Sequence, residues 1–181
     1  MSGTVSATRS PGVSADQYHA GMYLDALSFL EDERDAWRPY EALSSLTDEQ
    51  LEAPVEAASG WSGRDLMAHL VAWQLVALDV ARELAVDETS AAKARADADW
   101  EARGGEAIND EIQRTWAAKP LDEVRQAFAS AGGELRGYLT VVPEARWVKN
   151  GDNLRFMIDE TLDHYDEHKA DLAAVLAAAG R

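Results

Sequence analysis

Leu66, His69, Leu70, Trp73, Ala77, Val80 and Leu84 recur at spacings of three and four residues, the period of a single helix face. Three further stripes have the same period. Tyr23, Ala26, Leu27, Leu30, Trp37 and Leu43 mark a first helix over 15–46, which Pro39 should bend or end around Arg38. Leu121, Val124, Phe128, Leu135, Tyr138 and Val142 mark a third, which tolerates Gly132 and Gly133 and is stopped by Pro143. Met157, Thr161, His164, His168, Leu172 and Val175 mark a fourth. No segment alternates with period two. The chain is therefore expected to be all-α, a four-helix bundle with one long crossover connection between helices two and three.

Local signals set the boundaries. Thr47 followed by Gln50 has the form of a capping box, and Pro54 and Gly60 break the chain after it, so 47–60 reads as a short turn and a loop. Ser62, with Asp65 in the first turn, should start helix two, which runs to about Val86. The stretch 87–119 is rich in alanine and charge and contains Gly104 and Gly105. It reads as the crossover, a long connection with one short helix of the kind that covers a site.

The 181 residues suit one domain, here 15–181, behind a flexible small and polar tail at 1–14. The tail has no apolar core of the secretory type, and no run approaches a membrane span, so a cytoplasmic protein is expected. A formal charge of −16 repels phosphate backbones and anionic lipid, which argues against nucleic-acid and membrane partners. With no cysteine, disulfides, thiolate ligands and cysteine nucleophiles are excluded, and any thiol chemistry needs a thiol from outside.

His164 and His168 lie four residues apart on one predicted face, and His69 faces inward from helix two. Each alone reads more readily as a buried imidazole bonded to a neighbour. Three facing one core instead point to a divalent ion held by His69, His164 and His168, with an open position for water or substrate. Asp65, one turn before His69, and Glu160, one turn before His164, are the acids placed to fix an imidazole tautomer. The alternative for each acid is a solvated helix face. His19, near the start of helix one, reads as a surface residue.

The order LTDEQL, then GWSGRDLMAHLVAW, then a long connection, then LDHYDEHKADL resembles the DinB-like superfamily of four-helix metalloproteins. That group includes the mycothiol-dependent maleylpyruvate isomerase domain and bacillithiol transferases. The resemblance covers about 22–176. It implies a DinB-type bundle and a zinc or nickel ion held by one histidine of helix two and an i, i+4 pair of helix four, positions that fall on His69, His164 and His168. The sequence stops soon after helix four, so the C-terminal domain of the maleylpyruvate isomerases is not expected.

The function so implied is a metal-dependent thiol transferase or isomerase, with mycothiol as a possible co-substrate and a small electrophile as substrate. The same ligands would serve a metal-dependent hydrolase. A neighbouring branch, the colibactin-resistance-like proteins, has an asparagine similar to Asn109 and acts on a reactive natural product without needing the triad. Self-protection by hydrolysis or sequestration is therefore the competing expectation. Trp73, Asn109, Trp116 and Tyr165 are expected to line a small-molecule cleft, with ordinary packing as the alternative for both tryptophans. Arg34 is expected to reach an anionic substrate or to lie along the surface. A homodimer is compatible with a bundle of this size.

Overall fold

The computed structural model describes residues 23–181. The expected tail at 1–14, the first residues of helix one and His19 lie outside that range. Helix α1, Ala26–Trp37, begins at Asp25, whose carboxylate accepts the Ser28 N–H at 2.8 Å. At Arg38 it tightens into a 3-10 segment, Arg38–Ser45, with Pro39 in its first turn. Proline has no N–H and obstructs the preceding turn, so the α-helix changes where the sequence places it. The Thr47–Gln50 capping box is present in both directions, at 2.9 and 3.2 Å, and opens the short α2, Asp48–Glu52.

Helix α3, Gly63–Val86, also starts with a reciprocal box. The Asp65 carboxylate accepts the Ser62 N–H at 2.9 Å, and the Ser62 hydroxyl accepts the Asp65 N–H at 3.1 Å. Two of the four N–H groups that lack helical partners at this end are thus satisfied by the first turn itself. Most of α3 is buried, and it packs against α4, α5 and the final helical segments, so it is the central post of the bundle.

The crossover differs from its expected form. Instead of a connection with one short helix, α4 spans Ala91–Ala117 as two helical halves joined across a kink at Gly104, the first capped by Ser90 on the Lys93 N–H at 3.0 Å. The two glycines looked like a break, but only Gly104 leaves helical geometry, at φ 74° and ψ 161°. Glycine alone adopts that conformation without strain. Alanine-rich sequence favours the helix before the kink, and Glu, Ile, Gln and Arg residues favour it after. Its stripe is faint because α4 buries only one side, chiefly Ala92 and Trp116.

Helix α5, Leu121–Leu139, ends before Pro143 as expected. Tyr138, read as part of its inward stripe, is instead exposed and lies under the Arg82 guanidinium, 5.4 Å from the ring centre. The expected fourth helix is interrupted. It runs as α6, Gly151–Ile158, then a π-helical turn, Asp159–Asp163, then α7, His164–Glu167, and α8, Lys169–Ala178. The Thr161 hydroxyl donates to the Met157 carbonyl at 2.5 Å, supporting the ladder where it widens. No strand occurs among the described residues.

The apolar core has two parts. Trp37, Leu66, Leu70, Phe128, Tyr165 and Leu172 pack around one end of α3. Phe29, Leu78, Leu84, Leu135, Trp147 and Phe156 pack around the other. Polar groups stand where the two parts meet: Glu33, buried between Phe29 and Trp37, Gln74, buried between Leu70 and Leu78, and the half-buried Arg136 just past Leu135.

Candidate metal centre

His69 lies in the first half of α3, His164 opens α7 and His168 closes it. The π turn and the box at Ser62 set the two helices so that all three rings meet. Ring centres are 4.8 Å apart for His69 and His164, 4.7 Å for His69 and His168, and 4.9 Å for His164 and His168. One nitrogen from each lies within 4.8 Å of the others. Ligands at metal–nitrogen distances of about 2.0–2.1 Å in a tetrahedron stand roughly 3.4 Å apart, so ring rotations of about an ångström would bring the three onto one ion.

Two observations test whether these residues suit a metal. The Nε2 atom of His164 is buried and has no hydrogen-bond partner, which is costly for a polar atom unless an electrophile takes its lone pair. His168 has its Nδ1 at 2.8 Å from the Asp171 carboxylate, so Nδ1 carries the proton and Nε2 keeps the lone pair. The set fits a borderline-soft divalent ion.

Electrostatics agree. Burial, then the His164 and His168 rings, holds His69 well below the ordinary histidine range. Burial, then His168, pushes His164 down to about 3. Both imidazoles are neutral near pH 7, the form that ligates metal.

Trp61 stands beside the triad, stacked on His168 at 5.5 Å and edge-on to His69 at 4.9 Å. From there a narrow cleft runs between α3 and the second half of α4. Trp61, Asp65, His69, Asn109, Gln113 and Trp116 are among its lining residues. The Gly104 kink aims this half of α4. The Arg64 guanidinium clasps it to α3, donating to the carbonyls of Trp116 at 3.3 Å and Ala117 at 3.1 Å, and to that of Lys119.

Of the residues predicted for the site, the three histidines are brought together, and Asn109 and Trp116 face the cleft. Trp73 lies behind the wall, donating to Asn109 Oδ1 at 3.3 Å and tilted against His164 at 6.0 Å. Tyr165 is fully buried away from the cleft, hydrogen-bonded to Glu33 and Gln74. Arg34 is exposed on α1 and is not among the lining residues given for the cleft. Asp65 borders the cleft, but its hydrogen bonds go to Ser62. Glu160 is buried in the π turn.

Asp171 places a carboxylate on His168, and the sequence signal for it is an acid three residues after that histidine. Trp61 was quoted within its motif but given no role. Asp171→Ala is expected to weaken divalent-metal affinity about tenfold with little change in stability, by removing the acceptor that fixes the His168 tautomer. Competition titration against a chelating dye would measure it, and an unchanged affinity would separate Asp171 from the centre.

No helix among the described residues is long and apolar enough to cross a membrane. Neither the curated proteins nor the solved structures include a match to the chain. Residues 30–173, most of the chain, match the family described as the mycothiol maleylpyruvate isomerase N-terminal domain. The helical bundle, the two histidine-bearing helices and that match together place the chain in this family and so in the DinB-like superfamily.

Proposed function

We propose that the protein holds a zinc or nickel ion with His69, His164 and His168 and transfers or isomerises a small electrophile with the help of a low-molecular-weight thiol of the mycothiol type, in the cytoplasm. The observation that carries this reading is the buried, unpartnered Nε2 of His164, set among two further imidazoles. Family membership supports the thiol, and the absence of cysteine means that it must come from outside the chain.

A divalent ion there acts as a Lewis acid that lowers the pKa of a thiol or water sharing its coordination sphere. The chain supplies the rest. Asp171 keeps the His168 lone pair turned inward, and burial keeps His69 and His164 unprotonated. Trp61 and Trp116 give the cleft apolar faces that exclude water from the reacting groups. Because Asn109 Oδ1 accepts from Trp73, its amide N–H groups are free to donate to a ligand, and Asp65 and Gln113 offer further polar contacts.

Asn109 also favours a second reading, capture or opening of a reactive natural product without metal chemistry, because it faces the cleft. Metal-dependent hydrolysis would use the same three histidines. One experiment separates these. Purified protein, assayed for bound metal, is incubated with mycothiol and a panel of electrophiles, and adducts are followed by mass spectrometry. Near-stoichiometric zinc or nickel and a thiol conjugate that disappears on chelation are expected. Metal without conjugate, but with hydrolysed electrophile, selects the hydrolase. Electrophile consumption that survives chelation and His69→Ala selects the metal-free reading and sinks the transferase.

A further inference from the structure

We propose that Tyr165 is a positioning residue that fixes the spacing and facing of the three histidines from the opposite side of the helix pair. The inference rests on the metal-site reading of His69, His164 and His168.

Tyr165 follows His164 in the chain and is fully buried. Its hydroxyl accepts from Gln74 Nε2 at 2.8 Å and donates to Glu33 Oε1 at 2.9 Å. The other oxygen of Glu33 accepts from Arg136 Nη1 at 2.8 Å. The Tyr165 backbone carbonyl accepts from the Tyr40 hydroxyl. One side chain is thus tied to α1, α3 and, through Glu33, α5, while its main chain is tied to the 3-10 segment after α1.

Two of these ties bear on the histidines. Gln74 lies on α3 five residues after His69, so the Gln74–Tyr165 bond joins the helix of His69 directly to the helix of His164 and His168. It sets how far apart they stand. Successive side chains on a helix point about 100° apart, so holding Tyr165 in one direction also holds His164 in one direction. That control is needed here because the π turn at Asp159–Asp163 lies immediately upstream, and a widened turn does not transmit the facing of α6 as a regular ladder would.

The surroundings make room for the cluster. A Cβ on Gly132 would come within 3.3 Å of both Arg136 Nη1 and Gln74 Nε2, tighter than side-chain contacts normally allow. Gln74 Oε1 is itself buried without a hydrogen-bond partner. A leucine there would avoid that cost, so what the position gains from glutamine is the Nε2 bond to Tyr165.

Tyr165→Phe removes only the hydroxyl, and Gln74→Met removes the same bond from the other helix. Leu139→Ala, in the distant apolar cluster, serves as a control for general loss of stability. In metal-free protein, the His69 ring resonances are expected to shift and broaden in both test variants and to stay unmoved in the control. His69 is remote in sequence from Tyr165, so a change there reports helix spacing and not the local substitution. Zinc and nickel dissociation constants are expected to rise about tenfold in the test variants, with an altered visible spectrum of the cobalt-loaded protein, and to change less than twofold in Leu139→Ala. Test variants indistinguishable from the control in His69 resonances, or in metal affinity where the parent binds metal, overturn the assignment. If Tyr165→Phe fails to fold, Gln74→Met decides through the His164 and His168 ring resonances, which lie on the other helix and are expected to shift and broaden in it but not in the control. A parent that binds no metal defeats the proposed function, and the His69 resonances then still decide whether Tyr165 positions the triad.

Discussion

His164→Ala is expected to abolish the thermal stabilisation that zinc or nickel gives the parent protein. Free metal at about a thousand times its dissociation constant stabilises a native state by about 4 kcal/mol. For a chain of this length each kcal/mol is worth roughly 2–4 °C, so the parent should gain about 8–16 °C in Tm. The variant keeps two imidazoles, which do not make a comparable site, and its Tm should not respond to the same metal concentration. The cost of the substitution in metal-free protein should be mild for a core truncation, because the group removed includes a buried nitrogen with no hydrogen bond. Differential scanning fluorimetry with and without metal measures both effects. A variant that gains as much as the parent would mean that the ion binds elsewhere.

Metal-free protein is expected to lose stability between pH 7.5 and 5.5. His69 and His164 are held well below the ordinary value of 6.5 in the folded state, His164 at about 3. The unfolded chain therefore takes up protons at these two positions as pH falls through about 6.5, and the folded chain does not. Whenever the unfolded state binds more protons, acid favours it, here by about 1.4 kcal/mol per pH unit per histidine. At pH 5.5, one unit below the unfolded value, the two together remove roughly 3 kcal/mol, and the loss continues toward the folded value of His164. Above pH 7.5 neither contributes a slope. Glu33 and Glu167, raised above the ordinary carboxylate value chiefly by burial, work in the opposite sense and take part of this loss back as pH falls toward 4.5. Urea unfolding at several pH values measures the slope, and His164→Ala should halve it. An equal slope in parent and variant would assign the acid sensitivity to other groups.

The Thr47–Gln50 capping box and the helix start at Ser62 were legible in the sequence because each is a local code, whereas the reciprocal bond of Asp65 to Ser62 was not anticipated. Pro39 was legible for the same reason. The histidines were legible because periodicity of three and four survives an interruption: the steps from Thr161 to His164 to His168 read the same whether or not a π turn precedes them. That also hid the π turn, since it leaves no mark on the stripe. The short helix of the crossover was legible in the half of α4 after the glycines, and the half before them was missed because alanine and charge there leave little apolar stripe. Tyr165 was misplaced for a different reason. Which side of a helix faces a cleft and which faces a neighbour is decided by packing between segments distant in sequence, and no spacing within either segment encodes it.

The polar residues between the two apolar parts of the core also limit how the helices can slide. Leucine, valine and alanine faces tolerate many alignments at similar energy, so a bundle built only from them has several near-equivalent packings. Displacing α1 or α5 by one turn here would carry Glu33 or Arg136 out of reach of its partner and leave a charge unpaired against hydrocarbon, a loss of about 3–5 kcal/mol. That is a large share of the net stability of a domain this size. The pair adds little to the depth of the native state, yet it removes the shifted packings that would compete with it.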